Sequence, residues 1–454
     1  MQGIPNLEIK TSHSLGYEAL RNEIFDALRL DNSKYYKIMK DVVIRAEKIE
    51  SKTFKEQNKV IFKDLEYFFQ LYKKAMYYKY FAFYHDDPDF IEQFESMKEK
   101  FIFQYVQAKG KKEKLKPNEI QTLENEMRET LDNNQEKYIA YIQKTLQIGV
   151  ETHSTIDYTD MLYLANREDK ILFNYDYVFV DECQDLNTLQ IKLLKKIKAK
   201  KFIFVGDPCQ AIYGFAGALN NSFNRLQEEF ECKNMPLSET FRCPKNVIDF
   251  VRANYTKSDI TTSKKTITPI KQVKYIAPET LSEGLVLCSC NAPLLDLFVD
   301  LVRIDQPCRI NKSKEFFDEF FSFIKTQFFM KKMNEWTISK VFSAKIEKAE
   351  NGDEIDKLAD TKSVILKFLE LTGECTKDEY ISKIKEILTL QYKNSKNSTL
   401  ILSTVHRAKG LEADNVVILD FAKLQYFASI GSGQSDNLLY VALTRTKDKL
   451  ILVD

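Results

Sequence analysis

Two adjacent carboxylates, Asp181 and Glu182, close the apolar run Val178-Phe179-Val180. A buried strand that ends this way can offer one carboxylate to hydrated Mg²⁺ and use the other to polarise an attacking water, which is the chemistry of nucleotide hydrolysis. A solvated strand end is the plainer reading of such a pair taken alone. The next segment favours chemistry. A second apolar run, Phe202–Val205, leads into Gly206-Asp207-Pro208-Cys209-Gln210-Ala211-Ile212-Tyr213-Gly214-Phe215-Ala216-Gly217-Ala218. Two neighbouring strands would thereby bring Asp/Glu and Asp/Gln to one sheet edge, with Gln210 near a terminal phosphate. Tyr213 and Phe215 would form either a stacking platform for bases or part of a core.

These groups need a sheet to hold them. Short apolar or β-branched runs recur at Tyr177–Val180, Lys201–Val205, Leu285–Cys288, Leu400–Thr404, Val416–Leu419 and Leu450–Val453, most of them separated by helical stretches. That alternation predicts parallel sheets with crossover helices, whose ligands sit at the carboxyl ends of the strands. Two stretches read differently. Residues 32–147 are rich in Lys, Glu, Tyr and Phe at helical spacing, as at Leu65, Phe68, Phe69, Tyr72 and Met76, and residues 313–397 return to that pattern. The basic run Ala108–Pro117 reads as a solvated loop between helices.

Composition sets wider bounds. The 454 residues, 44% hydrophobic and 29% charged, suffice for two or more cores and exclude a disordered tail. With a net charge of +1, a polyanion must be met by local patches, hydrogen bonds and stacking. The eight Cys form no paired C-x-x-C sets and four His are available, which suits a reducing compartment better than a zinc or disulfide framework. No apolar run approaches the roughly 18 residues of a membrane span, and no signal pattern opens the sequence. The expectation is a soluble intracellular protein of cytoplasm or nucleus. The Lys, Ile, Asn, Tyr and Phe bias hints at an AT-rich genome such as that of a virus or phage.

Seven segments, in order, resemble the motifs of the UvrD/Rep-like superfamily 1 DNA helicases. Thr11-Ser12-His13-Ser14-Leu15-Gly16 is similar to motif Ib, and Ile156–Met161 to the segment before motif II. Asp181–Asp185 resembles motif II, Gly206–Ala218 motif III and Leu237–Pro244 motif IV. Ser403–Glu412 is similar to motif V, and Leu439–Arg445 to motif VI. Any one match is weak, whereas the ordered set is specific. The resemblance implies an α/β fold of two RecA-like parallel-sheet domains of the P-loop NTPase type, the first truncated at its N-terminus, with ATP and Mg²⁺ between them. It assigns 1–31 and 148–250 to domain 1A, 32–147 to helical insertion 1B, 251–312 and 398–454 to domain 2A, and 313–397 to helical insertion 2B. It implies an ATP-dependent DNA helicase or translocase, 3′→5′ on single-stranded DNA or at DNA junctions, and leaves open whether repair, recombination or replication is served.

The same resemblance gives residues their roles. Asp181 would bind Mg²⁺, Glu182 would orient or deprotonate the water, Gln210 would sense the γ-phosphate, and Arg242 and Arg445 would act as arginine fingers. Gly410 and Glu412 fall where the family contacts phosphate and ribose. Thr11, His13, Thr404 and His406 would hydrogen-bond the DNA backbone, and Tyr213 and Phe215 would stack on bases. Ala216 departs from the Arg that many members place there. For single residues other readings stay open: Arg242 as a surface ion pair, Glu412 as a helix cap, and Phe215, His13 and His406 as core.

The larger departure lies upstream, where ten residues precede Thr11 and the family places a Gly-Lys-Thr/Ser phosphate loop. Gly110-Lys111-Lys112 lacks the upstream Gly and the Ser/Thr, and Gly431-Ser432-Gly433-Gln434-Ser435 lacks the Lys. The expectation is therefore a fragment or split subunit that binds and hydrolyses ATP poorly alone, with the Walker A loop supplied by a separate polypeptide. The alternatives are a catalytically inactive helicase-like DNA-binding protein and a regulatory relative that complements another ATPase.

Overall fold

In a computed structural model the described residues are 7–23, 28–46, 72, 95, 98–99, 101–103, 105–107, 109–110, 115–152, 154–167, 170–213, 222–255, 258–311, 314–328, 332–346, 352–394, 400–429 and 435–454. Leu65, Phe68, Phe69, Met76, Lys111, Lys112, Phe215, Ala216 and the 431–434 segment lie outside them. The chain forms two compact units, Met1–Gly206 with Phe215–Cys232, and Asp207–Gly214 with Lys233–Asp454. Residues 207–214 and 233–250, which the sequence motifs group with the first domain, pack with the second unit.

In the first unit β1 (Arg29–Leu30) pairs in parallel with β2 (Thr155–Ile156), and β3 (Phe173–Val180) pairs in parallel with β4 (Ile197–Phe204). The inward side of β3 and β4 packs Tyr175, Val178, Val180, Phe202 and Phe204 against the helical core, and the Phe230 ring lies 5.0 Å from both Phe202 and Phe204. Their other side differs from the buried strand expected. Tyr177 is 60% exposed and Phe179 70%, because among the described residues helices cover one face of the pair only.

Helix Ser12–Glu23 begins at Thr11, whose Oγ1 accepts from the Ser14 amide at 3.1 Å. Its Gly16 lies against helix Asp160–Arg167: a Cβ there would sit 2.1 Å from the Met161 carbonyl oxygen. Backbone cannot yield as a flexible side chain does, so Gly16→Ala is expected to lower stability by about 3 kcal/mol. Urea unfolding of the two proteins checks this; equal midpoints would refute it. The turn that opens helix Asp160–Arg167 is held by a buried carboxylate. Asp160 accepts from Lys34 Nζ at 3.1 Å, from the Tyr35 hydroxyl at 2.7 Å and from the Asp157 amide at 3.0 Å. A charge so paired and hydrogen-bonded can remain inside.

The second unit contains a short parallel pair, β5 (Glu239–Thr240) with β6 (Thr261–Thr262), and a six-stranded parallel sheet. The sheet is built from β7 (Ile270–Val273), β8 (Gly284–Cys288), β9 (Arg309–Ile310), β12 (Leu400–Thr404), β13 (Ala413–Ile418) and β14 (Thr446–Val453). Its order is β7-β14-β13-β8-β12-β9. Between β9 and β12 the chain is helical at Lys314–Gln327, Glu335–Ile346, Gly352–Thr372 and Lys377–Asn394, with a small antiparallel pair of β10 (Lys332–Met333) and β11 (Cys375–Thr376).

Alternation along the strands shows why they read as continuous apolar runs. Val286, Leu402 and Val417 join Phe298, Phe342 and Phe368 in one apolar cluster, whereas Leu285, Leu287, Val416 and Ile418 join Val247, Val251 and Val441 in another. Both faces of this sheet are covered, as a parallel sheet requires. No helix among the described residues is long and apolar enough to cross a membrane.

Candidate functional site

The acidic end of β3 is held by its neighbour. Val205 N donates to Val180 O at 2.8 Å and Cys183 N donates back to Val205 O at 3.0 Å, so the parallel pairing persists past both strands. Glu182 then adopts a left-handed backbone, φ +50° and ψ +41°. A side chain in that region carries a cost of about 1 kcal/mol, tolerated where the surroundings impose it. Here they do. Gln184, 1% exposed, donates from Nε2 to Glu182 Oε2 at 2.5 Å, and Ser222 Oγ donates to the Gln184 carbonyl at 2.8 Å. Gly206 completes the packing: a Cβ there would lie 2.3 Å from Gln184 Oε1 and 2.9 Å from Cys183 Sγ.

The result is an exposed pair of carboxylates at a strand end, with the Glu182 amide donating to Asp181 Oδ1 at 2.9 Å. Hard oxygen donors in that position suit Mg²⁺. The Cys183 thiol that follows is no nucleophile, since burial pushes its pKa up to about 11.

The second unit assembles the other charged candidates. Arg445, 1% exposed, donates from Nε to Val441 O at 2.9 Å and from Nη2 to Gln210 Oε1 at 3.2 Å and Thr444 Oγ1 at 3.1 Å. Burial, and then the neighbouring Arg242 guanidinium, lower its pKa to about 10. Gln210 Nε2 in turn donates to Asp207 Oδ2 at 2.8 Å, and the Tyr440 hydroxyl reaches the same oxygen at 3.3 Å. Glutamine, buried arginine and carboxylate thus form one chain of hydrogen bonds.

Arg242 forms an ion pair with Glu412, Nε to Oε2 2.6 Å, and Lys447 Nζ holds the other Glu412 oxygen at 2.9 Å. The hydrogen bonds from Lys447 and Arg242 keep the Glu412 carboxyl below its ordinary range. These residues line a cavity of about 620 Å³, whose wall sets Arg242, Lys264 and Lys447 against Asp207, Glu239 and Glu412. Its size and mixed charge fit a polar, multiply charged ligand.

The DNA-side candidates fall in two places. Tyr213 donates its hydroxyl to the His406 carbonyl at 2.9 Å, while Lys409 Nζ lies 5.3 Å from the Tyr213 ring centre and donates to Gln210 O at 2.9 Å. Thr404 is 9% exposed at the end of β12, and Gly410 has φ +83° in the loop after helix Val405–Ala408. In the first unit His13 lies with its ring 5.6 Å from Tyr158, two residues beyond the exposed helix-capping Thr11. Burial lowers the pKa of both His13 and His406, which disfavours their charged forms. Phe215 lies outside the described residues.

The structure therefore brings together Asp181 with Glu182, Gln210 with Arg445, Arg242 with Glu412, and Tyr213 with His406. Sequence reasoning sets Asp207 beside Gln210 but misses Lys409, Tyr440 and Thr444 as partners, although all three lie inside the quoted motifs. Lys264 and Lys447 carry no sequence signal at all.

The profile of the UvrD/REP helicase N-terminal domain matches residues 1–231, and that of the UvrD-like helicase C-terminal domain matches residues 399–453. Among curated proteins the chain is similar to F-box DNA helicase protein 1 of Schizosaccharomyces pombe, 25% identical over 70% of this chain and 39% of that protein. It is also similar to DNA helicase II of Haemophilus influenzae, 27% identical over 32% of this chain and 20% of that protein. ATP-dependent DNA helicase PcrA of Staphylococcus epidermidis is 30% identical over 29% of this chain and 20% of its own length. The chain thus spans well under half the length of these relatives. With the N-terminal profile extending over half of its residues, the chain belongs to the UvrD-like superfamily 1 DNA helicase family.

Proposed function

We propose that this chain carries the hydrolytic and phosphate-sensing parts of an ATP-driven motor that moves 3′→5′ on single-stranded DNA. The observation that carries the reading is the hydrogen bond between Gln210 and Arg445, 3.2 Å across 235 positions of sequence, with the arginine buried in a low-dielectric surrounding. A buried cation aligned by a neutral amide is a charge held ready for an anion. In this reading Asp181 holds Mg²⁺, which when bound neutralises phosphate charge, and Glu182 orients and deprotonates the attacking water. Gln210 senses the terminal phosphate, Arg242 and Arg445 stabilise its charge, and Gly410 and Glu412 contact phosphate and ribose. Thr11, His13, Thr404 and His406 contact the DNA backbone, while Tyr213 and Phe215 stack on bases.

The proposal places insertion 1B and RecA-like domain 1A, apart from its residues 207–214 and 233–250, in the first unit, and domain 2A with insertion 2B in the second. It also includes a phosphate-binding loop from outside these 454 residues, on the same polypeptide or another, because none of them spells G-x-x-x-x-G-K-[ST]. The test is ATP hydrolysis stimulated by single-stranded DNA, measured with such a loop segment supplied. Turnover well above the Glu182→Gln variant is expected. No excess over that variant would sink the catalytic reading and favour a DNA-binding relative without activity.

A further inference from the structure

We propose that Cys288, Cys290 and Asp420 form a site for a thiophilic divalent cation, zinc, at the carboxyl edge of the six-stranded sheet. Cys288 is the last residue of β8, and Cys290 follows in the turn that leads into helix Ala292–Arg303. The neighbouring strand β13 pairs Ile418 with Leu287, and Leu419 N donates to Leu287 O at 2.7 Å, which brings Asp420 to the level of both sulfurs. The two Sγ atoms lie 3.9 Å apart, Cys288 Sγ is 4.0 Å from Asp420 Oδ2, and all three ligand atoms fall within 4.8 Å of one another.

The sulfur–sulfur separation already matches a metal's needs, and the carboxylate oxygen lies slightly too far out. A tetrahedral zinc with Zn–S of about 2.3 Å and Zn–O of about 2.0 Å sets two sulfurs about 3.8 Å apart and a sulfur and an oxygen about 3.5 Å apart. Small shifts of the three side chains close the set. Two thiolates and one carboxylate select zinc over the hard cations that oxygen-only sites take. Three protein ligands also leave a fourth position for water, and the half-buried Cys290 and Asp420 give access from solvent, while Cys288 is fully buried.

Asp420 carries a second indication. It stands at the start of helix Phe421–Ser429, where an aspartate would ordinarily cap the free amides. Instead Ala422 N donates to Asp454 Oδ1 at 3.1 Å, and the Asp420 carboxylate faces the sulfurs from a left-handed backbone, φ +52°. A non-glycine residue held in that conformation is a place to look for function. A bound ion would clip the β8 turn to the β13 turn. The cluster shares no residue with the Gln210, Arg445, Arg242 and Glu412 group, and the sequence hides it because its cysteines follow a C-x-C rather than a C-x-x-C spacing.

Cobalt titration of the reduced protein, followed by absorption spectroscopy, tests the site. The expected result is one Co²⁺ per chain, with a near-ultraviolet thiolate charge-transfer band, visible bands of tetrahedral cobalt, and loss of both when zinc is added. Cys290→Ser, a change at a half-buried position, is expected to weaken cobalt binding by at least about tenfold and to remove most of the charge-transfer intensity. Asp420→Asn should keep the charge-transfer band while weakening binding and shifting the visible bands. Absence of the band in the wild type, with circular dichroism showing it folded, would overturn the proposal. So would an unchanged band in folded Cys290→Ser.

Discussion

With the phosphate-binding loop supplied, and on the function proposed above, Glu182→Gln is expected to lower DNA-stimulated ATP hydrolysis by about 10²- to 10⁴-fold, the range that a positioned general base supplies. Binding of nucleotide and of DNA should be retained, because the amide keeps the size of the side chain and only its basicity is lost. A second variant separates chemistry from backbone. Glu182→Gly removes the side chain from its left-handed position and should raise stability by about 1 kcal/mol while being equally inactive. Hydrolysis by Glu182→Gln within a few-fold of wild type would show that the base lies elsewhere. A Glu182→Gly protein less stable than wild type would show that the contact to Gln184 outweighs the strain.

Arg445→Ala should damage both stability and turnover. Its guanidinium bonds to Val441 O, Gln210 Oε1 and Thr444 Oγ1 inside the second unit, and truncation removes that donor from two buried acceptors and from the half-buried Gln210. A loss of about 3 kcal/mol in denaturant unfolding is expected from charged hydrogen bonds of this kind, alongside, if Arg445 acts as the arginine finger proposed above, a fall in hydrolysis of about 10³-fold or more. Arg445→Lys keeps charge but not the planar fork, so it should recover part of the stability and little of the turnover.

The pKa has a sign that can be checked. Because burial depresses it to about 10 in the folded protein, below its unfolded value, the cation is less favourable folded than unfolded at every pH below that point. A bound anion offsets this penalty. ADP or pyrophosphate should therefore raise the unfolding temperature of the wild type by more than that of Arg445→Ala. Equal shifts would place the anion away from Arg445.

Much of the framework is legible in the sequence because strand, acid pair and motif are local patterns. Each of the six apolar runs coincides with a strand of the structure to within one residue at its carboxyl end, and the helical text between β9 and β12 forms helices. The acid pair stands at the end of β3, where the apolar-then-acidic pattern places it. Less legible is anything that depends on which neighbours a strand acquires. Phe179 looks like a core residue in sequence, yet its exposure is decided by helices that, among the described residues, cover only one side of β3 and β4.

Nor does a motif announce its partner. Arg242 reads in sequence as a finger aimed at phosphate, with a surface ion pair as the plainer alternative, and in the structure it pairs with Glu412, itself expected at the ribose. Lys264 and Lys447 reach the same cavity from stretches with no distinguishing pattern, since a lysine's sequence context says little about where its four-carbon stem ends. The convergence of Cys288, Cys290 and Asp420 depends on strand order, which no local spacing encodes.

That strand order also sets a timetable for synthesis. β14, residues Thr446–Val453, lies between β7 and β13, so an interior position of the sheet stays empty until those residues have been translated. β12 enters late as well, between β8 and β9, after the whole helical stretch has been made. A nascent chain that has reached Ile418 therefore exposes the unpaired backbone edges of β7 and β13 while they wait for a partner. Long-range parallel pairing of this kind is slow and prone to aggregation. The second unit should fold only after β14 leaves the ribosome, with holdase chaperones most needed in the interval between β13 and β14.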